Sequence, residues 1–160
     1  MKKTKTLSLT IAAMIAALYV VLTYVANALG LASGNIQIRL SEALTILPVF
    51  TAAAVPGLYI GCLLSNILTG CCLIDIILGS IATLLGAIGT RILRKHKFLA
   101  FIPPILSNMI IVPIVLRLGY GLTLPVPFMM LTVGIGEVIS CGILGYFVYR
   151  ALSKNKHAFK

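Results

Sequence analysis

From Leu7 to Leu29 the chain runs 23 residues without a single charge. A helix of that length, at 1.5 Å rise per residue, crosses the roughly 30 Å hydrocarbon core of a bilayer. Further apolar runs follow, separated by short segments rich in Gly, Pro or Lys and Arg. Of the 160 residues, 60% are hydrophobic and 10% are charged, with a mean hydropathy of +1.11. A soluble domain carries about 25% charged residues, so this chain cannot cover a water-facing surface. The expected class is an all-α integral membrane protein, one transmembrane domain over residues 1–160. The basic start MKKTKT before an apolar run has the outline of a signal peptide. The run is longer than the apolar part of one, and no small-residue cleavage pattern stands out, so it is read as a retained first helix.

Taken in order, the sequence predicts helix 1 over Leu7–Leu29 and a Gly/Ser/Asn loop over 30–37. Helix 2 follows over Ser41–Ala54 with a kink at Pro48, then a tight turn at Pro56-Gly57 and helix 3 over Gly57–Thr69. Helix 4 covers Asp75–Leu93, helix 5 Leu99–Leu118 and helix 6 Pro127–Tyr149, with a Gly/Pro loop from Tyr120 to Val126 and a basic tail from Arg150. Helices 2 and 3 are short for straight spans, and a five-helix count with these two as a re-entrant hairpin is the rival. Charge favours six. With the N-terminus in the cytoplasm, six crossings put eleven of the 13 cations inside: Lys2, Lys3 and Lys5, then Arg91, Arg94, Lys95 and Lys97, then Arg150, Lys154, Lys156 and Lys160. Both termini are then cytoplasmic.

The 3 acids fall on the other side. Glu42 and Asp75 start helices 2 and 4 at their outer ends, and Glu137 lies about 15 Å deep in helix 6. Arg39 and Arg117, the two remaining cations, share that outer half with Asn66 and Asn108. A carboxylate at membrane depth costs about 2.5–3.5 kcal/mol on insertion scales, so Glu137 needs a partner: a ligand, or Arg117 or Asn108. Arg39 and Glu42 form either a simple i, i+3 helix pair or part of a binding site. Asp75 is either a helix-start acid or a ligand contact, and the two asparagines bond either a neighbouring backbone or a ligand. Arg117 also fits a headgroup-level position, and Tyr59, Tyr120, Phe50, Phe128 and Tyr146 fit packing or an interfacial belt better than stacking on a ligand. A polar outer half above an apolar inner half describes a pocket closed below, not a pore.

Other classes find no support. The net charge of +10 is explained by cytoplasmic loops, and no basic stripe interleaved with aromatics points to nucleic acid. Cys62, Cys71, Cys72 and Cys141 have no metal-ligand spacing with His96 or His157, and no metal or cofactor is expected. No P-loop, zinc-protease or serine-hydrolase motif is present, so the chain is not expected to be an enzyme. Small residues recur one turn apart on helix 1 (Ala12/Ala16 and Ala13/Ala17), helix 3 (Gly57, Gly61, Ser65) and helix 4 (Ala82, Gly86, Thr90). Close packing within the fold explains helices 3 and 4. On helix 1 the alanines fit either that or a docking face for another membrane protein.

The runs IRLSEALTILPVF (Ile38–Phe50), VPGLYIGCLLSN (Val55–Asn66) and DIILGSIATLLGA (Asp75–Ala87), with Gly136-Glu137, resemble the QueT type of S-component of energy-coupling factor (ECF) transporters. The resemblance covers nearly the whole chain. It departs at TAAAVPG, where a proline is expected after Thr51. What it implies is capture of a queuosine precursor, a 7-deazaguanine, from outside. Delivery inward then needs a transmembrane coupling subunit (the T-component) and two ATPase subunits, in the cell membrane. Ala12, Ala13, Ala16 and Ala17 match the motif that contacts the coupling subunit. Joined to the chemistry of the residues, Glu137 is expected to accept from the donor edge of the base and Asn66 or Asn108 to donate to its carbonyl. Glu42 or Asp75 would meet a cationic amine, and loops 30–40 and 119–126 would close over the site. Two other readings keep different cargo: another vitamin or nucleobase on the same fold, or a proton-coupled carrier that uses Glu137 and Asp75 as a relay.

Overall fold

The computed structural model describes residues 2–31 and 36–154; His157, Lys156 and Lys160 of the expected tail lie outside them. Every regular element among the described residues is helical. Helix α1 spans Lys2–Ala28, a 3-10 segment spans Leu40–Val49, α2 spans Ala54–Leu68 and α3 Leu73–Ile92. A short 3-10 turn at Leu99–Phe101 leads into α4, Ile102–Gly119. Helix α5, Val126–Glu137, passes through π-helical turns at Val138–Leu144 into α6, Gly145–Lys154. Four of these stretches are long and apolar enough to cross a membrane: Lys5–Ala28, Leu73–Ile92, Leu99–Gly119 and Val126–Lys154. Their outward faces carry large bare hydrophobics such as Leu85, Ile92, Ile110 and Phe147, a surface suited to lipid.

The middle of the bundle is the 3-10 segment, where the sequence predicts an α-helix over 41–54. All eight residues from Ser41 to Pro48 are buried. Ten residues at the 2.0 Å rise of a 3-10 helix reach about 20 Å, against about 15 Å for the same residues as α-helix. The thinner element fits among α1, α3, α6 and the π-helical turns, all of which it touches. Pro48 does not kink a long helix. It sits one residue from the end of the segment, where Phe50 and Thr51 both donate their backbone N–H to Leu47, and Arg91 donates to the Pro48 carbonyl at 2.9 Å.

The expected turn at Pro56-Gly57 is also displaced. Helix α2 already begins at Ala54, and Pro56 lies in its first turn, where a missing N–H costs no helical bond. Gly57 and Gly61 instead set the distance to α1. A Cβ on Gly57 would stand 2.7 Å from the Ala12 carbonyl oxygen, and one on Gly61 3.0 Å from the Ala16 Cα. Backbones can approach this closely only with small residues on both sides. Ala12 and Ala16 are therefore buried against α2, whereas Ala13 and Ala17 are exposed. The four-alanine docking face expected on helix 1 is thus split, one pair being internal packing. The α3–α4 contact works in the same way, with Gly86 against Pro104 and Gly89 against Pro103.

Helices α1 and α2 end alike. Gly30 and Gly70 have φ of 70° and 72°, and Leu31 and Cys71 donate back to the Ala26 and Asn66 carbonyls at 3.0 Å each. Such left-handed glycine caps satisfy the last carbonyls of a helix and turn the chain sharply. Both turns lie at the end of the bundle where α3 begins and α4 finishes. Arg91, Arg94, Lys95, Lys97, Arg150 and Lys154 belong to the opposite end, where Phe50 also stacks on Tyr149 at 5.4 Å.

Candidate functional site

The stripe on α1 that begins with Ala12 and Ala16 continues at helical spacing through Tyr19, Thr23 and Ala26. The last three line a cavity of about 480 Å³ at the glycine-capped end of the bundle. Gln37, Arg39 and Ser41 enter it from the chain leading into the 3-10 segment. Ser65, Asn66, Thr69 and Cys71 come from the end of α2, and Leu116, Tyr120 and Leu122 from the end of α4. A smaller apolar chamber of about 280 Å³ adjoins it, sharing Gln37, Leu116 and Leu122 and adding Phe128, Met129 and Val133. Small-molecule pockets run from about 300 to 1,000 Å³, so the main cavity is of ligand size.

Behind this lining lies a layer of buried acids. Glu42 has no solvent exposure, and Asp75 and Glu137 have 4% each. The Tyr19 hydroxyl donates to Glu42 Oε1, which also accepts from Thr83 at 3.4 Å. The Tyr120 hydroxyl donates to Asp75 Oδ2 at 2.9 Å. The two acids are therefore held alike, each through one oxygen by a tyrosine that lines the cavity. The other oxygen of each, Glu42 Oε2 and Asp75 Oδ1, is buried without a hydrogen-bond partner among the described residues. Asn66 links cavity and acid layer by donating Nδ2 to the Asp75 carbonyl oxygen at 3.3 Å. Gly79 leaves room for both, since a Cβ there would lie 2.8 Å from Asp75 Oδ1 and 3.2 Å from Asn66 Nδ2.

Glu137 closes the far side. It is the last residue before the π-helical turns, whose Cys141 donates its thiol to Glu137 Oε2 at 3.1 Å and approaches the Glu42 carbonyl oxygen at 3.5 Å. Insertions of π geometry frequently mark functional positions in helices. Here they also let Ser140 accept from the Arg39 backbone N–H at 3.1 Å. Glu42, Glu137 and Cys141 offer ligand atoms within 4.8 Å of one another. In this arrangement the Cys141 thiol donates to Glu137 and the Tyr19 hydroxyl to Glu42. Asn108, 1% exposed, lies beside Glu137 with its Nδ2 unpartnered among the described residues. Gly136 fixes the approach from the loop: a Cβ there would collide with the Gln37 carbonyl oxygen.

The seven expected site residues are distributed between the glycine-capped end and the middle of the bundle. Arg39 and Asn66 line the cavity, Glu42 and Asp75 stand directly behind its tyrosines, and Glu137 and Asn108 lie one layer further in. Arg117 stands apart. It is exposed and borders neither chamber, because Leu116 takes the inward position and the next residue of an α-helix points about 100° away. Glu42 does not form a helix pair with Arg39; its closest polar contact is Tyr19, 23 positions earlier. Tyr19, Thr83, Ser140 and Cys141 were not legible as site residues. The signal for Tyr19 was its place on the alanine stripe, and for Thr83 its spacing of two helical turns from Asp75. Tyr120, which reads as packing or interfacial belt, instead holds Asp75. Of the loops expected to close over the site, Gln37, Arg39, Tyr120 and Leu122 line the cavity, and residues 32–35 lie outside the described chain.

These features define a multi-pass membrane protein with a cavity of ligand size at one end of a helical bundle. The chain belongs to the QueT transporter family, whose profile matches residues 9–154. Over 98 residues it is 35% identical to the queuosine precursor transporter QueT of Lactococcus lactis subsp. cremoris (strain MG1363). That alignment covers 61% of this chain and 57% of the relative. No solved structure matches.

Proposed function

We propose that this protein is the substrate-binding S-component of an ECF transporter for a queuosine precursor, a 7-deazaguanine such as preQ1, preQ0 or queuine. In this reading the chain makes six crossings of the cytoplasmic membrane with both termini inside, and the cavity faces outward. The concentration of cations at the far end of the bundle supports that orientation. The observation that carries the reading is the cavity backed by three buried acids and two buried amides, in a chain of the QueT family. A deazaguanine presents an N–H and an amine side by side with a carbonyl next to them. Glu137, with Glu42 beside it, is suited to accept from the two donors, and Asn66 or Asn108 to donate to the carbonyl. The T-component and two ATPase subunits supply the work of transport. On α1 the exposed Ala13 and Ala17 are the alanines free to meet the coupling subunit, while Ala12 and Ala16 hold α1 against α2.

The direct test is a thermal-shift panel of deazaguanines, nucleobases and vitamins on the purified protein, joined to mass spectrometry of any small molecule that copurifies. A shift with deazaguanines only is expected. A shift with a different vitamin or nucleobase replaces the cargo and keeps the fold. Liposomes carrying this chain by itself are expected to show no concentrative uptake. Accumulation driven by a pH gradient in such liposomes would replace the ECF reading with a proton-coupled carrier.

A further inference from the structure

The wall of the main cavity is rich in hydroxyls, yet most of its donors are already committed. The Tyr19 and Tyr120 hydroxyls donate to Glu42 and Asp75. Ser65 donates to the Cys62 carbonyl and Thr69 to the Ser65 carbonyl. Thr23 shares its proton between the Tyr19 carbonyl and Ser41 Oγ, both at 2.9 Å. Asn66 Nδ2 is engaged by the Asp75 carbonyl and the Cys62 sulfur. A hydroxyl has a single proton to give, so what these groups have left for an occupant is lone pairs.

Arg39 differs. It is the one charged residue in the lining of this cavity. It is partly buried, and its guanidinium makes no hydrogen bond or ion pair among the described residues. All of its N–H donors are therefore uncommitted. Its backbone is nevertheless fixed: the Arg39 N–H donates to Ser140 Oγ at 3.1 Å, and its carbonyl accepts from the Glu42 N–H at 3.0 Å as the 3-10 segment begins. Asp75 and Glu42 act on the guanidinium through their fields, which offsets its charge without using a donor. A charged fork partly removed from water and left unbonded calls for an acceptor. With two acids already acting on it, that acceptor need not be an anion; the lone pairs of a neutral group suffice. Asn27 and Gln37 also bring amides to the lining, but Asn27 is exposed and both are neutral, so their bonds are the weaker ones.

We infer that Arg39 is the specificity-determining donor of this cavity, and that it donates to the ring carbonyl of the bound base. This rests on the deazaguanine reading above and moves the carbonyl contact from the asparagines to Arg39. The Asn66 amide is already engaged, and Asn108 borders neither chamber. A carbonyl oxygen has two lone pairs, so it can accept both arms of the guanidinium. A base without a carbonyl at that position leaves the fork unbonded in a closed site.

The experiment uses 7-deazaguanine, the core common to the candidate ligands, and its analogue with sulfur in place of the carbonyl oxygen. The analogue keeps the N–H and amine donors of the neighbouring edge and accepts hydrogen bonds more weakly. Both are titrated calorimetrically into the full-length protein in detergent. A hydrogen bond to a charged group carries about tenfold or more in affinity, so the oxygen compound is expected to bind about tenfold more tightly or better. Arg39→Met is expected to weaken the oxygen compound about tenfold or more and the sulfur compound less than about threefold. Arg39→Lys, which keeps the charge and loses the fork, is expected to fall between Arg39→Met and the unaltered protein. A merely structural role would weaken both compounds alike. The comparison on the unaltered protein does not depend on whether a variant folds. Equal affinity for the two compounds, or an Arg39→Met loss of the same size for both, overturns this inference and leaves the deazaguanine reading in place. Failure of both compounds to bind overturns both.

Discussion

Tyr19 and Glu42 are 23 positions apart in the chain, and the tyrosine hydroxyl donates to the glutamate carboxylate in the centre of the bundle. Tyr19 is 2% exposed and Glu42 fully buried, so water contributes nothing to either. The bond joins the alanine-rich face of α1 to the 3-10 segment and forms part of the wall between cavity and acid layer. Deleting the hydroxyl with Tyr19→Phe leaves Glu42 Oε1 with only the long contact from Thr83. Leaving a buried acceptor without its donor costs about 1–3 kcal/mol. The variant should melt measurably lower in a detergent thermal scan and bind the cognate ligand more weakly; a melting point equal to that of the unaltered protein would show that the bond is dispensable.

Gly136 faces the Gln37 carbonyl with no space for a methyl group. In Gly136→Ala the Gln37 backbone has to move, and overpacking of this kind costs about 1–3 kcal/mol. Since Gln37 lines both chambers, ligand affinity should fall together with thermal stability. Retention of both would mean that the loop before the 3-10 segment shifts freely.

On the α1–α2 contact, Gly61→Leu is expected to be more damaging. Its side chain would have to occupy the place of the Ala16 backbone and the Tyr19 Cβ, 3.0 and 2.8 Å from the first added carbon. Yield of folded protein, read by gel filtration in detergent, should collapse. Ala13→Leu, on the exposed face of the same helix, should leave the isolated protein intact. If α1 docks the coupling subunit, that variant should lose assembly with it in a pull-down.

Glu137→Gln turns one acceptor oxygen into a donor where the proposal places two ligand donors. Affinity for a deazaguanine should drop at least tenfold, measured by titration, while the helical circular dichroism stays unchanged. Unaltered affinity would remove Glu137 from the base edge and leave Glu42 in that role.

Arg117→Gln serves as the control. An exposed side chain away from caps and networks changes stability by less than about 0.5 kcal/mol. Ligand affinity should be unchanged, because Leu116 and not Arg117 borders the cavity. A large loss of affinity would return Arg117 to the site.

The candidate acids stand out in the sequence because ionic groups are so scarce here. A chain with 3 acids offers few candidates, and all three are buried, Glu42 and Glu137 close to each other and Asp75 beside Tyr120. Legibility failed where neutral hydroxyls and thiols matter. Tyr19, Thr83, Ser140 and Cys141 look the same in sequence whether they face lipid, backbone or an acid, since each sits in an apolar helix at moderate cost. Secondary structure failed in the same region. Leu40–Val49 has the composition of an α-helix, and its 3-10 geometry comes from neighbours on every side that leave room only for a narrower, longer element. Pro56 reads as a turn because proline breaks helices, yet its place in a first turn makes it harmless.

The order of residues by itself determined that this chain is a helical membrane protein, with its cations toward one end and its acids toward the other. Transfer energetics act on each segment almost independently, so no fold is needed to read them. Only the tertiary structure decided which oxygens are satisfied. Whether Glu42 meets Arg39 or Tyr19, and whether Arg117 or Leu116 looks inward, depends on helix rotation and on contacts of about 3 Å between segments far apart in the chain. Hydropathy and spacing carry no information at that scale.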